Sequence, residues 1–173
     1  ERGRATESMK VRLGLMLSES GQAREAVEVL QSLAPGTKDV ELLNAYGIAL
    51  ADVGQAEEAV RMFNRVLALD ATNATAYQNL GIVADVQGRT DEAVAHFRLA
   101  LVAFEQEDEW GPMLSVLNNL RGGDPTDRRA VEQYRSFCLL ALGRATEAES
   151  ALAAVVTADP TYRPGESDWS PRV

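Results

Sequence analysis

Between Val40 and Val53 the apolar residues Leu43, Tyr46, Leu50 and Val53 recur at helical spacing, with Gly47 among them. A period near 3.6 predicts an amphipathic helix. Gly54 follows, a residue that adopts the backbone of a helix C-terminus without a Cβ penalty. The run Ala56 to Leu69 then predicts a second helix, with Ala59, Val60, Phe63, Val66 and Leu67 on its inner face. Together they make a helical hairpin joined by a tight turn.

This pattern returns. Tyr46 to Phe63 reads YGIALADVGQAEEAVRMF, and Leu80 to Phe97 reads LGIVADVQGRTDEAVAHF. Gly47, Gly54, Ala59 and Phe63 reappear as Gly81, Gly88, Ala93 and Phe97, each 34 residues on. A fixed period of about 20–50 residues marks an array of stacked units rather than one interleaved core. Upstream, Met9 to Ser20 carries Leu13, Gly14 and Leu17 before Gly21, followed by Ala26, Leu30 and Leu33 and a Pro35-Gly36 break. Downstream, Val131 through Leu139 to Gly143 precedes Ala148, Leu152, Val155 and Pro160. The interval from Ala93 to Ala148 is longer than one period by roughly 20 residues.

The expected organisation is therefore three hairpins over 1–107, an insert over 108–128, a fourth and divergent hairpin over 129–160, and an extended tail or linker over 161–173. In the insert, Pro112 suits a first helical turn, and Met113, Leu114, Val116, Leu117 and Leu120 form one apolar face. Gly122-Gly123 is expected to end this short helix and Asp124-Pro125 to begin the next.

Composition narrows the function classes. With 46% hydrophobic and 25% charged residues the chain can bury a core, and with only 6% aromatics it favours helices over strands. A net charge of -9 with no long Lys and Arg cluster argues against nucleic acid and anionic lipid. No apolar run of about 20 residues exists to span a membrane. The single cysteine excludes an internal disulfide and an all-cysteine zinc site. The chain opens with Glu1 and reads as a fragment, so cytoplasm and periplasm are equally compatible.

These residues resemble the tetratricopeptide repeat, with its period of about 34 residues and its pattern of Leu-Gly, a Tyr-like position, Ala, Phe and Pro. Leu80-Gly81 with Ala93 and Phe97 matches, as do Leu13-Gly14 with Ala26, and Tyr46-Gly47 with Ala59 and Phe63. The likeness covers 7–107 well and 129–160 less well. The Trp of the pattern is replaced by Lys10, Leu43, Tyr77 and Glu132, Ser136 takes a glycine position, and only Pro160 keeps the closing proline. The resemblance implies an all-α fold, a right-handed α-solenoid of about four hairpins with one extra inserted helix. Small residues at Gly14, Gly47 and Gly81, facing Ala26, Ala59 and Ala93, would let paired helices approach closely.

The resemblance also implies a concave surface lined by first helices that holds a peptide or partner helix. Helical geometry places Val11, Leu15 and Glu19, then Asn44, Ile48 and Asp52, then Gln78, Ile82 and Asp85 on that surface, with Ser8, Glu41 and Thr75 on the same stripes. The floor is apolar, the amides can bond a peptide backbone, and the acidic margin favours apolar anchors with Lys or Arg flanks. Packing between neighbouring hairpins is the alternative role for Ile48 and Ile82. Some relatives grip a C-terminal carboxylate with paired Lys and Asn side chains. These stripes carry Asn44 and Asn79 without Lys or Arg, so that mode is not expected.

No catalytic, metal or cofactor site is expected. His96 has no nucleophile placed beside it by motif and is expected on the surface. Cys138, among Phe137, Leu139 and Leu140, is expected buried and inert. Glu105, Glu107, Asp108 and Glu109 lack the ligand alternation of a calcium loop and are expected to be a solvated helix end. Gly122-Gly123-Asp124 lacks the Lys-Ser or Lys-Thr of a phosphate loop. Tyr162 and Trp169 could fold back onto the array, or belong to a linker. The expected role is a non-catalytic interaction scaffold. Its alternatives are a segment appended to an enzyme outside the chain, or a homo-oligomerisation module using the helix at Pro112 to Arg121.

Overall fold

The computed structural model describes residues 2–120 and 125–158, with side chains at 8–120, 129 and 131–157. Among these residues it is all-α. The helices are α1 (Arg2–Glu19), α2 (Ala23–Leu30), α3 (Val40–Asp52), α4 (Ala56–Leu69), α5 (Ala74–Val86), α6 (Thr90–Gln106), α7 (Trp110–Asn119), α8 (Pro125–Ala141) and α9 (Ala145–Ala158). The chain divides into two compact units, 1–89 and 90–173. Among the described residues no helix is long and apolar enough to cross a membrane.

One local device recurs. After α1, α3, α5 and α8 stand Gly21, Gly54, Gly88 and Gly143, all with φ between +72° and +84°. At each, the glycine N–H and the next N–H donate to the carbonyls three and five residues back. At Gly54, for example, the bonds run to Ala51 O at 2.9 Å and from Gln55 N to Leu50 O at 2.8 Å. This satisfies the orphan carbonyls of a helix end and reverses the chain.

The same pair of bonds occurs after α6, where Asp108 at φ 56° takes the glycine's place and Glu109 N donates to Phe104 O. The short helix α7 therefore follows a turn of the repeat's own kind. Aspartate tolerates this backbone better than most residues, which is why a glycine-based reading passes over it. Pro112 stands at the third position of α7, and Gly122, Gly123 and Asp124 lie outside the described residues.

In the first unit, the paired helices meet as their small residues demand. Gly47 is buried and a methyl built on it would lie 2.5 Å from Phe63 Cε1, while one on Gly14 would run into Leu30. Two apolar clusters follow. One joins Ala26, Leu30 and Ala34 to Leu42, Ala45 and Ala49. The other joins Leu43, Leu50, Ala59, Phe63 and Val66 to Ala76, Leu80 and Val83. Polar bonds fix the stacking: Arg65 Nη2 donates to Ala34 O (3.0 Å) and Thr37 O (3.1 Å), tying α4 to the loop before α3. Asp39 and Asn73 cap α3 and α5, accepting from Leu42 N and Ala76 N.

In the second unit α7 packs on both α6 and α8, and α8 on α9. Met113, Leu114, Val116 and Leu117 are all buried, so the apolar face of α7 is core and not the bare surface an oligomerising helix would need. The ring of Trp110 meets Phe137 edge to face at 5.2 Å. Ser136 is buried, and its hydroxyl donates to Gln133 O at 2.7 Å.

Two expectations need correcting. Glu105 is 5% exposed and does not belong to a solvated end, because it shares the inward stripe of α6 with Phe97, Leu101 and Phe104. His96 is half-buried rather than a surface residue, with Nε2 3.8 Å from Glu92 one turn back. Tyr162 and Trp169 lie outside the described residues.

Candidate functional site

The first unit carries an open cavity of about 540 Å³ lined by Leu15, Ser18 and Glu19 of α1, Val40, Glu41, Asn44, Ala45 and Ile48 of α3, and Thr75 of α5. Its size falls in the range of about 300–1,000 Å³ usual for ligand pockets. Every wall is a first helix of a hairpin. The glycine turn sends each second helix to the back, so α1, α3 and α5 lie side by side, α3 touching both neighbours.

Six residues placed on the stripes from sequence line this cavity: Leu15, Glu19, Glu41, Asn44, Ile48 and Thr75. Val11 instead packs, partly buried, against the cluster of Ala26 and Leu30. Ile48 does both, lining the cavity and packing on the cluster around Phe63. Asp52 lies at a separate depression with Gly21, Arg24 and Glu25. Gln78 is half-buried, while Ile82 and Asp85 are exposed on α5 outside the cavity wall.

Ser18, Val40 and Ala45 were not singled out. Helical spacing held the signal for two of them: Ser18 is one turn from Leu15, and Ala45 is one turn from Glu41, so each shares its neighbour's face. Ser18 Oγ donates to Ala45 O at 3.4 Å, a bond that bridges α1 and α3 at the cavity floor.

The polar groups are not equivalent. Asn44 Nδ2 donates to Asn73 Oδ1 at 3.2 Å, the same oxygen that caps α5. Its own Oδ1 is shut off from solvent and has no partner. Asn44 therefore ties α3 to α5 beneath the cavity. The charged lining is Glu19 and Glu41, both exposed, and no lining side chain is basic. An apolar floor of Leu15, Ala45 and Ile48 between two carboxylates can seat an apolar side chain while attracting a cation at its edge.

Residues 45–108 match the tetratricopeptide repeat family. Among solved structures, a mutant of MamA is 19% identical, with a TM-score of 0.53 over 91% of this chain and 99% of that one. MamA AMB-1 is 18% identical, with a TM-score of 0.52 over 92% of this chain and 95% of that one. MamA MSR-1 is 18% identical, with a TM-score of 0.51 over 90% and 97%. No curated protein matches by sequence. At such identities the likeness is one of fold, and it extends over nearly the whole of both chains. The chain carries tetratricopeptide repeats over residues 45–108 and has the all-α helical-repeat fold of that family, a family of protein-interaction modules.

Proposed function

We propose that this interaction scaffold acts non-catalytically, holding a peptide or helix of a partner protein across α1, α3 and α5 of the hairpin block 1–107. The segment carries an apolar anchor and a Lys or Arg beside it. The observation that carries the reading is the cavity itself: an apolar floor of Leu15, Ala45 and Ile48 edged by Glu19 and Glu41. The anchor enters between α1 and α3, where the Ser18 hydroxyl already engages Ala45 O. The cation sits at the rim, where exposed carboxylates steer approach more than they add affinity. Asp52, Gln78, Ile82 and Asp85 extend the surface for a longer segment.

Selection of a displayed random peptide library on the protein tests this directly. Enriched peptides should pair Leu, Ile or Phe with Lys or Arg, and their binding should weaken with salt. An Ile48→Asp variant should lose them, and Glu19→Lys/Glu41→Lys should lose the basic preference but keep the apolar one. Enrichment of acidic peptides, or enrichment unchanged by Ile48→Asp, overturns the reading.

A further inference from the structure

One apolar and one acidic side chain recur on α1, α3 and α5 at nearly fixed distances from the turn glycine. Leu15, Ile48 and Ile82 stand six residues before Gly21, Gly54 and Gly88, and Glu19, Asp52 and Asp85 stand two, two and three before them. No base occupies any of these positions. Leu15 and Ile48 are half-buried, Ile82 is 37% exposed, and all three carboxylates are exposed. The first unit therefore carries an apolar row across its first helices with an acidic row along one side.

The step along these rows limits what can lie on them. Packed helices are about 8–10 Å apart, and α3 packs on both α1 and α5. On a ligand helix, residues seven apart share a face and are about 10.5 Å apart along the axis. In a strand, same-face residues fall at about 7 Å and then about 13 Å, on either side of that step. A polyproline segment, at about 9 Å per three-residue turn, fits as the helix does.

Hydrogen bonding separates the two that fit. An extended backbone brings N–H and carbonyl groups that need partners in the groove, whereas a helix satisfies its own. The groove has few partners to give. Asn44 donates to Asn73 Oδ1, and its own Oδ1 is closed off from solvent. Gln78, its counterpart on α5, also has a partner of its own. The Ser18 hydroxyl is given to Ala45 O, and Asn79 lies off the cavity wall. What remains open is apolar surface and negative charge.

From these observations we infer that the occupant is a basic, amphipathic α-helix of a partner protein, laid across α1, α3 and α5. It presents apolar residues at i, i+7 and i+14 to the row of Leu15, Ile48 and Ile82, with Lys or Arg along the flank that meets Glu19, Asp52 and Asp85. This occupant presupposes the groove proposed above and adds to it a conformation and a seven-residue period.

Random peptides of about 20 residues, displayed and selected on the protein, test it together with synthetic copies of the winners. Winners should space Leu, Ile or Phe by seven. Proline placed midway between two anchors should weaken binding about a hundredfold, and an i to i+4 staple on the outer face should strengthen it. For one of the terminal anchors, replacement by Ala should leave binding indifferent to Ile82→Asp yet still sensitive to Ile48→Asp. Circular dichroism checks that both variants keep their helicity. Winners that are lost with Ile48→Asp but tolerate the proline, and space their apolar residues by two or three, overturn the helix and leave the groove standing. No enrichment, or winners indifferent to Ile48→Asp, removes the groove and the helix with it.

Discussion

Gly47 lies against the ring of Phe63 so closely that a methyl on its Cα would stand 2.5 Å from Cε1 and 2.8 Å from Cζ. In an open helix, replacing glycine by alanine gains about 1 kcal/mol. Here the ring is fully buried and has no room to retreat, so Gly47→Ala should cost on the order of 1–3 kcal/mol. Gly111→Ala on α7, where a Cβ meets nothing within 4 Å, should be neutral or stabilising. Urea midpoints of the two variants compare them, and a Gly47→Ala protein as stable as the wild type contradicts the packing. Phe63→Leu should recover part of the loss in a double-mutant cycle.

Asn73 joins three groups. Its Oδ1 accepts from Ala76 N and from Asn44 Nδ2, and its Nδ2 donates to Asp70 Oδ2 at 3.0 Å. Asn73→Ala should cost about 1–2 kcal/mol through the lost cap. Asn44→Ala, which leaves the cap intact, should cost less by the same denaturation assay. The Asn73 bond also holds the Asp70 carboxyl below the usual carboxylate range, with Thr72 adding to it. The stability from this bond is present above that range and lost as pH falls through the depressed value. Acid titration of the Asn73→Ala variant should lack this component.

Cys138 is fully buried, and desolvation pushes its thiol from an ordinary 9.0 up to about 12, with the Glu105 charge adding to the rise. The native protein should therefore resist alkylation at pH 8 and react only on unfolding. A raised pKa means that the unfolded chain releases its proton first. The stability linked to the thiol is whole below pH 9 and declines as pH climbs toward about 12. A Cys138→Ser or Cys138→Ala protein should show a flatter decline over that window. Rapid labelling of the folded wild type contradicts the burial.

The hairpins were legible because their code is local: a turn glycine, small residues five after and seven before it, and an apolar stripe between. Ala56–Leu69 could be read to its last residue from this code. Asp108 was not legible as a turn residue, since its left-handed backbone carries no glycine to mark it. Glu105 misled for a related reason, an acidic run hiding one member that points inward. In the cavity, the stripes pointed to Leu15, Glu19, Glu41, Asn44, Ile48 and Thr75, yet Asn44 is bonded to Asn73 at the start of α5, and spacing within one helix carries no such pairing. Leu13 matches Leu80 in the repeat, but Leu80 is buried and Leu13 is not, because burial depends on which neighbour stacks.

Backbone amide chemical shifts test the groove most directly, recorded while the protein is titrated with one selected peptide that carries an apolar anchor beside Lys or Arg. The account predicts that the largest changes fall at Ser18, Glu41, Asn44, Ala45, Ile48 and Thr75, and vanish in Ile48→Asp. Changes gathered instead on α2 and α4 would contradict it.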